Sequence, residues 1–193
     1  MSKPSVLAFA GSLRAGSYNK KLVRIAANGA RAAGAHLTEI DLRDFPMPIY
    51  DGDIEASEGL PENARKLRAL FVEHQGFLIA SPEYNSGMSA ALKNAIDWVS
   101  RPQPDVVPLI AFRNKVIGLM AASPGVLGGI RALPMVRQIL SNVGAIVIPT
   151  QIAVGRAAEV FAVDGRLIDD KQRVSVEALG AEVVRFVTRL SAE

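Results

Sequence analysis

The sequence predicts an α/β fold in which helices cover both faces of a doubly wound, five-stranded parallel sheet. Two observations predict it. Strand-like and helix-like segments alternate five times along the 193 residues, and most of the strand-like segments are continuous apolar runs, as in strands buried on both faces. Composition does not change along the chain and no repeat is seen, so we expect a single domain over residues 1–193.

The first half of the chain contains two strand–helix pairs. Residues 5–10 (SVLAFA) form an apolar run and are expected to be a buried strand. A helix is expected over 19–33 because its apolar residues recur at helical spacing, and Gly34 can end it. Residues 36–42 alternate in polarity, which predicts a strand nearer the sheet edge, and a helix with proline in its first turn is expected over 61–75.

The second half repeats the alternation three times. Apolar runs predict strands over 76–81, 115–122 and 145–154. Helical spacing of apolar residues predicts helices over 88–100, 130–143 and 171–190. Pro149 can break the last strand, and Pro134 moves the expected start of its helix to about Ala132, because proline is tolerated only in the first turn.

Three loops are expected at the carboxyl ends of the strands, where folds of this class bind their ligands. They span residues 11–19, 82–87 and 123–129, and all are rich in glycine or polar donors. The sequence therefore predicts a ligand site at this edge of the sheet.

The first loop has the features of an anion site. A strand, a glycine-containing loop and a helix N-terminus present free N–H groups and the positive end of the helix dipole. Ser12, Ser17 and Asn19 add neutral donors, and Arg14 adds a planar charged fork suited to phosphate. Asn19 can also be the N-cap. The alternative is that Asn19 and Ser17 only cap the helix while Arg14 faces solvent.

The spacing within this loop narrows the anion to a small phosphomonoester. Gly11 and Gly16 match the glycines of a triphosphate-binding loop, but Ser17 stands where that loop requires lysine. The glycine pattern of a dinucleotide site is also missing after the strand.

The second loop, SPEYNSG, suits a flat heteroaromatic ring. Pro82 fixes its direction, Tyr84 offers a flat face, and Asn85 offers donors and acceptors to a ring edge. The alternative is an ordinary strand-to-helix turn in which Ser86 or Ser89 caps the helix.

Several function classes are disfavoured. The chain has no cysteine and only two histidines, His36 and His74, both expected at the surface, so neither a nucleophile–base pair nor a metal cluster is expected. The net charge of +3 is scattered and only 6% of residues are aromatic, which argues against nucleic acid. The longest apolar stretch, 116–130, contains proline and glycines and is too short to span a bilayer, so we expect a cytoplasmic protein without membrane contact.

The segments GSLRAGSYN (11–19), PEYNSGMSAALKNAIDW (82–98) and SPGVLGGIRA (123–132) closely resemble the bacterial NAD(P)H-dependent FMN reductases, which include quinone, chromate and azo-dye reductases. The resemblance runs along essentially the whole chain. It implies a flavodoxin-like fold with strand order 2-1-3-4-5, FMN as cofactor and NADPH or NADH as co-substrate. FMN would carry the chemistry, so no catalytic side chain is expected.

The resemblance also implies which residues hold FMN. The residues implied for the phosphate are Ser12, Arg14, Ser17 and Asn19, with Tyr18 adjacent. Those implied for the isoalloxazine ring are Pro82, Glu83, Tyr84 and Asn85, with Ser123 and Gly125 at its other edge. Many relatives carry a bulky residue where Ser86 and Gly87 stand here, so the acceptor cannot be carried over from them.

Two other functional classes use the same fold. A flavodoxin-type one-electron carrier would hold FMN at the same loops, but this chain is basic, poor in aromatic residues and lacks the T-x-T-G-x-T phosphate loop of flavodoxins. A scaffold without flavin would leave the polar loops empty.

A homodimer, which can pair into a homotetramer, is expected from one tryptophan and from the resemblance. Trp98 lies off the apolar stripe of its helix, so we expect it to be exposed in a monomer and buried between copies. The alternative is that Trp98 packs under the proline-rich loop 101–108 of its own chain.

Overall fold

The sheet has five parallel strands. The structure is a computed structural model that describes residues 3–104 and 106–191. The sheet strands are β1 (Ser5–Ala10), β2 (His36–Glu39), β3 (Gly76–Ala80), β6 (Val116–Ala122) and β7 (Ile146–Val154). Their order across the sheet is β2-β1-β3-β6-β7. A separate two-stranded hairpin consists of β4 (Glu83–Tyr84) and β5 (Gly87–Met88). Without this hairpin the order is 2-1-3-4-5, so the predicted flavodoxin-like topology is confirmed.

Helices cover both faces of the sheet, as predicted. They are α1 (Tyr18–Ala32), α2 (Gly52–Glu58), α3 (Glu62–Glu73), α4 (Ala90–Val99), α5 (Ala132–Asn142), α6 (Ala157–Val160) and α7 (Asp170–Leu190). Helices α1 and α7 pack on the face that includes Val6 and Ala8, whereas α3, α4 and α5 pack on the face that includes Leu7 and Phe9. Alternate residues of β1 thus enter opposite halves of the core, which explains why the whole strand is apolar.

The predicted second strand, 36–42, was too long. Its last ladder bond is donated by Ile40 N–H to the carbonyl of Ala8 (3.1 Å). The Asp41 carboxylate then accepts from Arg43 N–H (3.0 Å) and caps a 3₁₀ turn over Leu42–Asp44. An aspartate that bonds its own backbone two residues ahead competes with the strand and ends it.

Strand β7 runs through Pro149 as one strand, but its ladder with β6 is interrupted at this predicted break, where the pairing passes from Val147 directly to Gln151. The pairing of β6 with β7 shifts register between Ile117 and Leu119. At the shift, the Arg137 guanidinium donates to the carbonyls of Val147 (2.8 Å) and Ile148 (2.6 Å). A side chain of α5 therefore satisfies carbonyls that the shifted ladder leaves unpaired.

The expected exposure of Trp98 is wrong. Its side chain is fully buried among Leu60, Ala64 and Tyr50, and its indole N–H donates to the carbonyl of Pro48 (2.8 Å). The cover is the segment 46–60 between β2 and α3, together with Ala64 of α3, and not the proline-rich loop 101–108, of which Asp105 lies outside the described residues.

The expected surface position of His74 is also wrong, whereas His36 is exposed on the edge strand β2 as predicted. His74 is 4% exposed. Its Nδ1 lies 2.7 Å from the carbonyl oxygen of Leu70 and its Nε2 lies 2.7 Å from Thr38 Oγ1. Since a carbonyl oxygen only accepts, Nδ1 carries a hydrogen, and the ring joins the end of α3 to β2.

No helix in the described ranges combines the length and apolar character needed to cross a membrane.

Candidate functional site

Three loops meet at the carboxyl ends of the neighbouring strands β1, β3 and β6, and three polar contacts join them. Ser89 Oγ donates to the carbonyl of Gly11, which joins the first loop to the start of α4. Glu83 pairs with Arg131, which joins the second loop to the third. Asn19 bonds the main chain of Ala122, which joins the first loop to the end of β6 (2.9 Å).

The first loop contains hydrogen-bond donors without partners, as an anion site requires. Ser17 is the N-cap of α1, but its side chain makes no capping bond, so its hydroxyl is available. The Ser12 and Ser17 side chains line the loop at 3% and 4% exposure, and Arg14 is exposed. In the described parts of the chain, the N–H groups of Ser17, Tyr18 and Asn19 donate no hydrogen bond. They are the first N–H groups of α1 and lie at the positive end of the helix dipole.

The expectation that Asn19 is the N-cap is wrong. Asn19 lies one residue inside α1, and both ends of its amide are engaged by the Ala122 main chain. Tyr18 is half-buried, with its ring stacked on Phe161 at 5.7 Å between centroids and Lys21 Nζ above it. The side chains of Asn19 and Tyr18 thus hold the start of α1 against the rest of the fold.

The second loop is a β-hairpin that the sequence did not predict. Its two-residue turn is formed by Asn85 (φ 52°) and Ser86 (φ 65°). Positive φ at both central residues is the geometry of a type I′ turn, which usually carries glycine at the second position. Ser86 occupies that second position, so the sequence lacks the glycine that usually indicates this type of turn. Pro82 is buried at the base, and Tyr84 is 52% exposed.

Glu83 is turned towards the third loop. Its side chain is 7% exposed and accepts from Arg131 N–H (3.0 Å) and from Arg131 Nε (2.8 Å). Sequence reasoning missed Arg131, since 48 residues separate the pair.

The third loop is folded tightly against the strands. Gly128 (φ 64°) and Gly129 (φ 86°) are left-handed, and a Cβ at Gly128 would lie 2.7 Å from the Gly155 nitrogen. Only glycine fits there. Ser123 is half-buried and its Oγ accepts from the N–H of the exposed Gly125 (3.2 Å).

The start of α4 also touches the first loop. Ser89 is its N-cap and accepts from Leu92 N–H (3.1 Å), as the turn alternative predicted. A Cβ at Gly11 would lie 2.7 Å from Leu92 Cβ, so the first loop can leave β1 along this path only with glycine. The sequence showed both residues without indicating that they touch.

Comparison with known protein families shows which family contains these three loops and this fold. The model of the NADPH-dependent FMN reductase family matches residues 4–159. The chain belongs to this family. An NAD(P)H-dependent FMN reductase of Pseudomonas aeruginosa is 34% identical over 187 residues, which cover 96% of each protein. A quinone reductase of Escherichia coli K12 is 34% identical over 145 residues, 75% of this chain and 73% of that one.

A solved structure extends the match to three dimensions. FerB, a flavoenzyme NAD(P)H:(acceptor) oxidoreductase from Paracoccus denitrificans, superimposes with a TM-score of 0.78 at 26% identity, over 96% of this chain and 98% of that one. The predicted membership of the FMN reductase family is thus confirmed, and with it the predicted class of flavin-dependent NAD(P)H oxidoreductase.

Proposed function

We propose that the three loops hold FMN, and that the chain transfers electrons from NADPH or NADH to small acceptors such as quinones. The observation that carries this proposal is the first loop, which combines N–H groups of α1 that donate no hydrogen bond in the described residues, the hydroxyls of the buried Ser12 and Ser17, and the exposed Arg14. The family membership supports FMN as the ligand.

A phosphate monoester fits this loop. Ser12 and Ser17 can donate through their hydroxyls, and Tyr18 and Asn19 through their N–H groups. Because the Asn19 side chain is held by Ala122, we assign it the role of fixing the helix start while its N–H faces the phosphate. Arg14 supplies the charge that a dianion needs.

A flat ring fits between the second and third loops. Pro82 and the hairpin form one wall, with Tyr84 and Asn85 exposed at its tip. Ser123 and Gly125 form the other edge. Ser86 has a small side chain and Gly87 has none, so they leave the outer face of the ring accessible to a co-substrate.

FMN, when bound, supplies the chemistry, since it can take a hydride from a nicotinamide and give an electron pair to an acceptor. The protein positions the ring and the phosphate and keeps one ring face open. That division of labour requires no catalytic side chain.

Quinones are the first acceptor class in the proposal, because three of the curated relatives in Escherichia coli and Shigella flexneri are named quinone reductases. Free flavin, azo dyes and metal oxyanions are further acceptors implied by the family resemblance. Cytoplasmic location belongs to the same proposal, since NAD(P)H is available there.

A visible spectrum and initial rates test the function. Protein purified with added FMN and desalted is expected to keep a flavin spectrum and to oxidise NADH or NADPH only when an acceptor is present. Rates with both nucleotides against a quinone, free FMN, chromate and an azo dye rank the substrates. A protein that retains no flavin at micromolar concentration would contradict the proposal and favour the scaffold class.

Photoreduction separates the enzyme from a flavodoxin-type carrier. An enzyme that transfers electron pairs is expected to pass directly from oxidised to fully reduced flavin and to show ping-pong kinetics. Accumulation of one-electron-reduced flavin as the main species would instead support the carrier.

We also propose a homodimer that can pair into a tetramer. Trp98 does not support a dimer, because it is buried within its own chain. Six large apolar side chains are, however, exposed around the three loops: Leu13, Tyr84, Val126, Leu127, Ile130 and Met135. A surface of this kind is typical of a contact between proteins.

A further inference from the structure

Glu83 and Arg131 form an ion pair between the two loops proposed to flank the flavin ring. Oε2 of Glu83 accepts from the main-chain N–H of Arg131 (3.0 Å), and Oε1 accepts from its guanidinium Nε (2.8 Å) and Nη2. The carboxylate is 7% exposed and the guanidinium side chain is 56% exposed. Both oxygens of Glu83 are therefore occupied by a single residue at the start of α5.

The pair changes the role expected for Glu83. The family resemblance implies that Glu83 contacts the isoalloxazine ring, yet both oxygens of its carboxylate accept hydrogen bonds from Arg131. We propose that Glu83 is a positioning residue, which with Arg131 forms a latch that holds the β4–β5 hairpin against the 123–131 loop. The latch sets the separation of the two loops, and it acts on the ring through their main chains.

The packing around the pair explains why a latch is needed. The hairpin turns through Asn85 and Ser86, which both take left-handed conformations. Asparagine adopts this conformation readily, but serine at the second position, where such turns usually carry glycine, costs free energy. A Cβ at Gly129 would lie 2.9 Å from Ala121 Cβ and 3.5 Å from Glu83 Cβ, so the hairpin rests directly on the third loop. The Glu83–Arg131 contacts are charge-assisted and can hold this strained turn in place.

The charges of the pair predict an asymmetry between its two members. A nearly buried carboxylate without a partner is costly, whereas an arginine that is more than half exposed can be solvated by water. Removing Arg131 is therefore more damaging than removing the charge of Glu83. The E83Q/R131Q double variant is expected to be no worse than R131Q, because the unpaired charge is gone.

Hydrogen exchange in the flavin-free protein tests the latch without using the proposed function. The amides of residues 83–88, 123 and 125–131 are expected to exchange about tenfold faster or more in R131Q, with a smaller increase in E83Q and partial restoration in R131K. Arg31→Gln is the matched control. It breaks the Arg31–Glu39 pair (2.9 Å), whose arginine is equally exposed (53%) at the far end of α1. Equal exchange in R131Q and R31Q would overturn the proposal.

Flavin binding gives a second readout, which rests on the proposed function. The latch acts on the ring, so R131Q is expected to raise the dissociation constants of FMN and riboflavin by the same factor, about tenfold. A loss of affinity for FMN but not for riboflavin would place the effect at the phosphate and overturn the proposal. A loss of affinity in R131Q with unchanged affinity in E83Q would mean that Arg131 contacts the flavin itself, and this would also overturn the proposal. If the wild type binds neither flavin, the proposed function fails, and the exchange measurement still decides the latch.

Discussion

The side-chain amide of Asn19 donates to the carbonyl of Ala122 and accepts from its N–H, at 2.9 Å in both directions. Asn19 lies in the first turn of α1 and Ala122 is the last residue of β6. The contact therefore fixes the start of the helix, whose N–H groups are proposed to bind phosphate, to the strand that leads into the third loop.

Replacing Asn19 by alanine is expected to lower the free energy of unfolding by about 2–4 kcal/mol, because a buried N–H and a buried carbonyl of Ala122 lose their partner. Urea denaturation measures this as a lower midpoint with an unchanged slope. Asn28→Ala is the matched control, since Asn28 is exposed on the same helix and bonds only Arg31 (2.8 Å). Equal midpoints for the two variants would contradict the structural role of Asn19.

Arg14→Ala is expected to weaken FMN binding by about 1.5–3 kcal/mol, the worth of a hydrogen bond to a charged group. Riboflavin has no phosphate, so its affinity is expected to stay the same in the variant. Titration of flavin fluorescence measures both constants. An unchanged FMN constant would remove Arg14 from the site.

The strands of the sheet were predictable because each buried strand is a continuous apolar run in the sequence. Motifs also indicated the site loops, since residues such as Arg14 and Pro82 lie within short segments. Contacts between distant segments were not predictable in the same way. Trp98 has the pattern of an exposed residue on α4, and it is buried by the path of the segment 46–60 across that helix and by Ala64 of α3. Glu83 and Arg131 show no local signal of their pairing.

Gly29→Ala is expected to destabilise the fold by about 1–3 kcal/mol through overpacking. Helices α1 and α7 approach so closely that a Cβ at Gly29 would lie 1.9 Å from the carbonyl oxygen of Glu177. The obstacle is main chain, so the helices must move apart. Gly52→Ala is the control, because its Cβ would meet only Tyr50 Oη at 4.0 Å. Thermal unfolding measures the melting temperatures of both variants. An unchanged melting temperature for Gly29→Ala would refute the close approach of the two helices.

Lys115 is expected to make stability rise with pH on the alkaline side. Its ammonium donates to the carbonyls of Val72 and His74 (2.7 Å each) at the end of α3, and burial lowers the pKa of Lys115 below its ordinary 10.5. Between the lowered pKa and 10.5 the unfolded chain binds more protons than the folded chain, so the free energy of unfolding increases with pH.

Urea denaturation of wild type and Lys115→Met from pH 7.5 to 10.5 measures this contribution as the difference between the two curves. The stability of the wild type relative to the variant is expected to grow with pH. The exposed Lys66→Met variant on α3 is the control and tests whether the trend belongs to lysine removal in general. A constant difference between wild type and Lys115→Met would show that Lys115 has no lowered pKa.

Assembly is expected to depend on the apolar residues around the three loops and not on Trp98. Light scattering at low micromolar concentration is expected to give at least twice the chain mass of 20.6 kDa. Ile130→Asp places a charge on a residue that is 51% exposed beside the third loop, so it is expected to shift the protein towards monomer. Val163→Asp, at a fully exposed apolar residue in the turn between α6 and α7, is the control and is expected to keep the wild-type mass. A wild-type mass of 20.6 kDa that does not change when FMN is added would refute the dimer. If the Ile130→Asp variant keeps the mass of the wild-type oligomer, the interface lies on another surface.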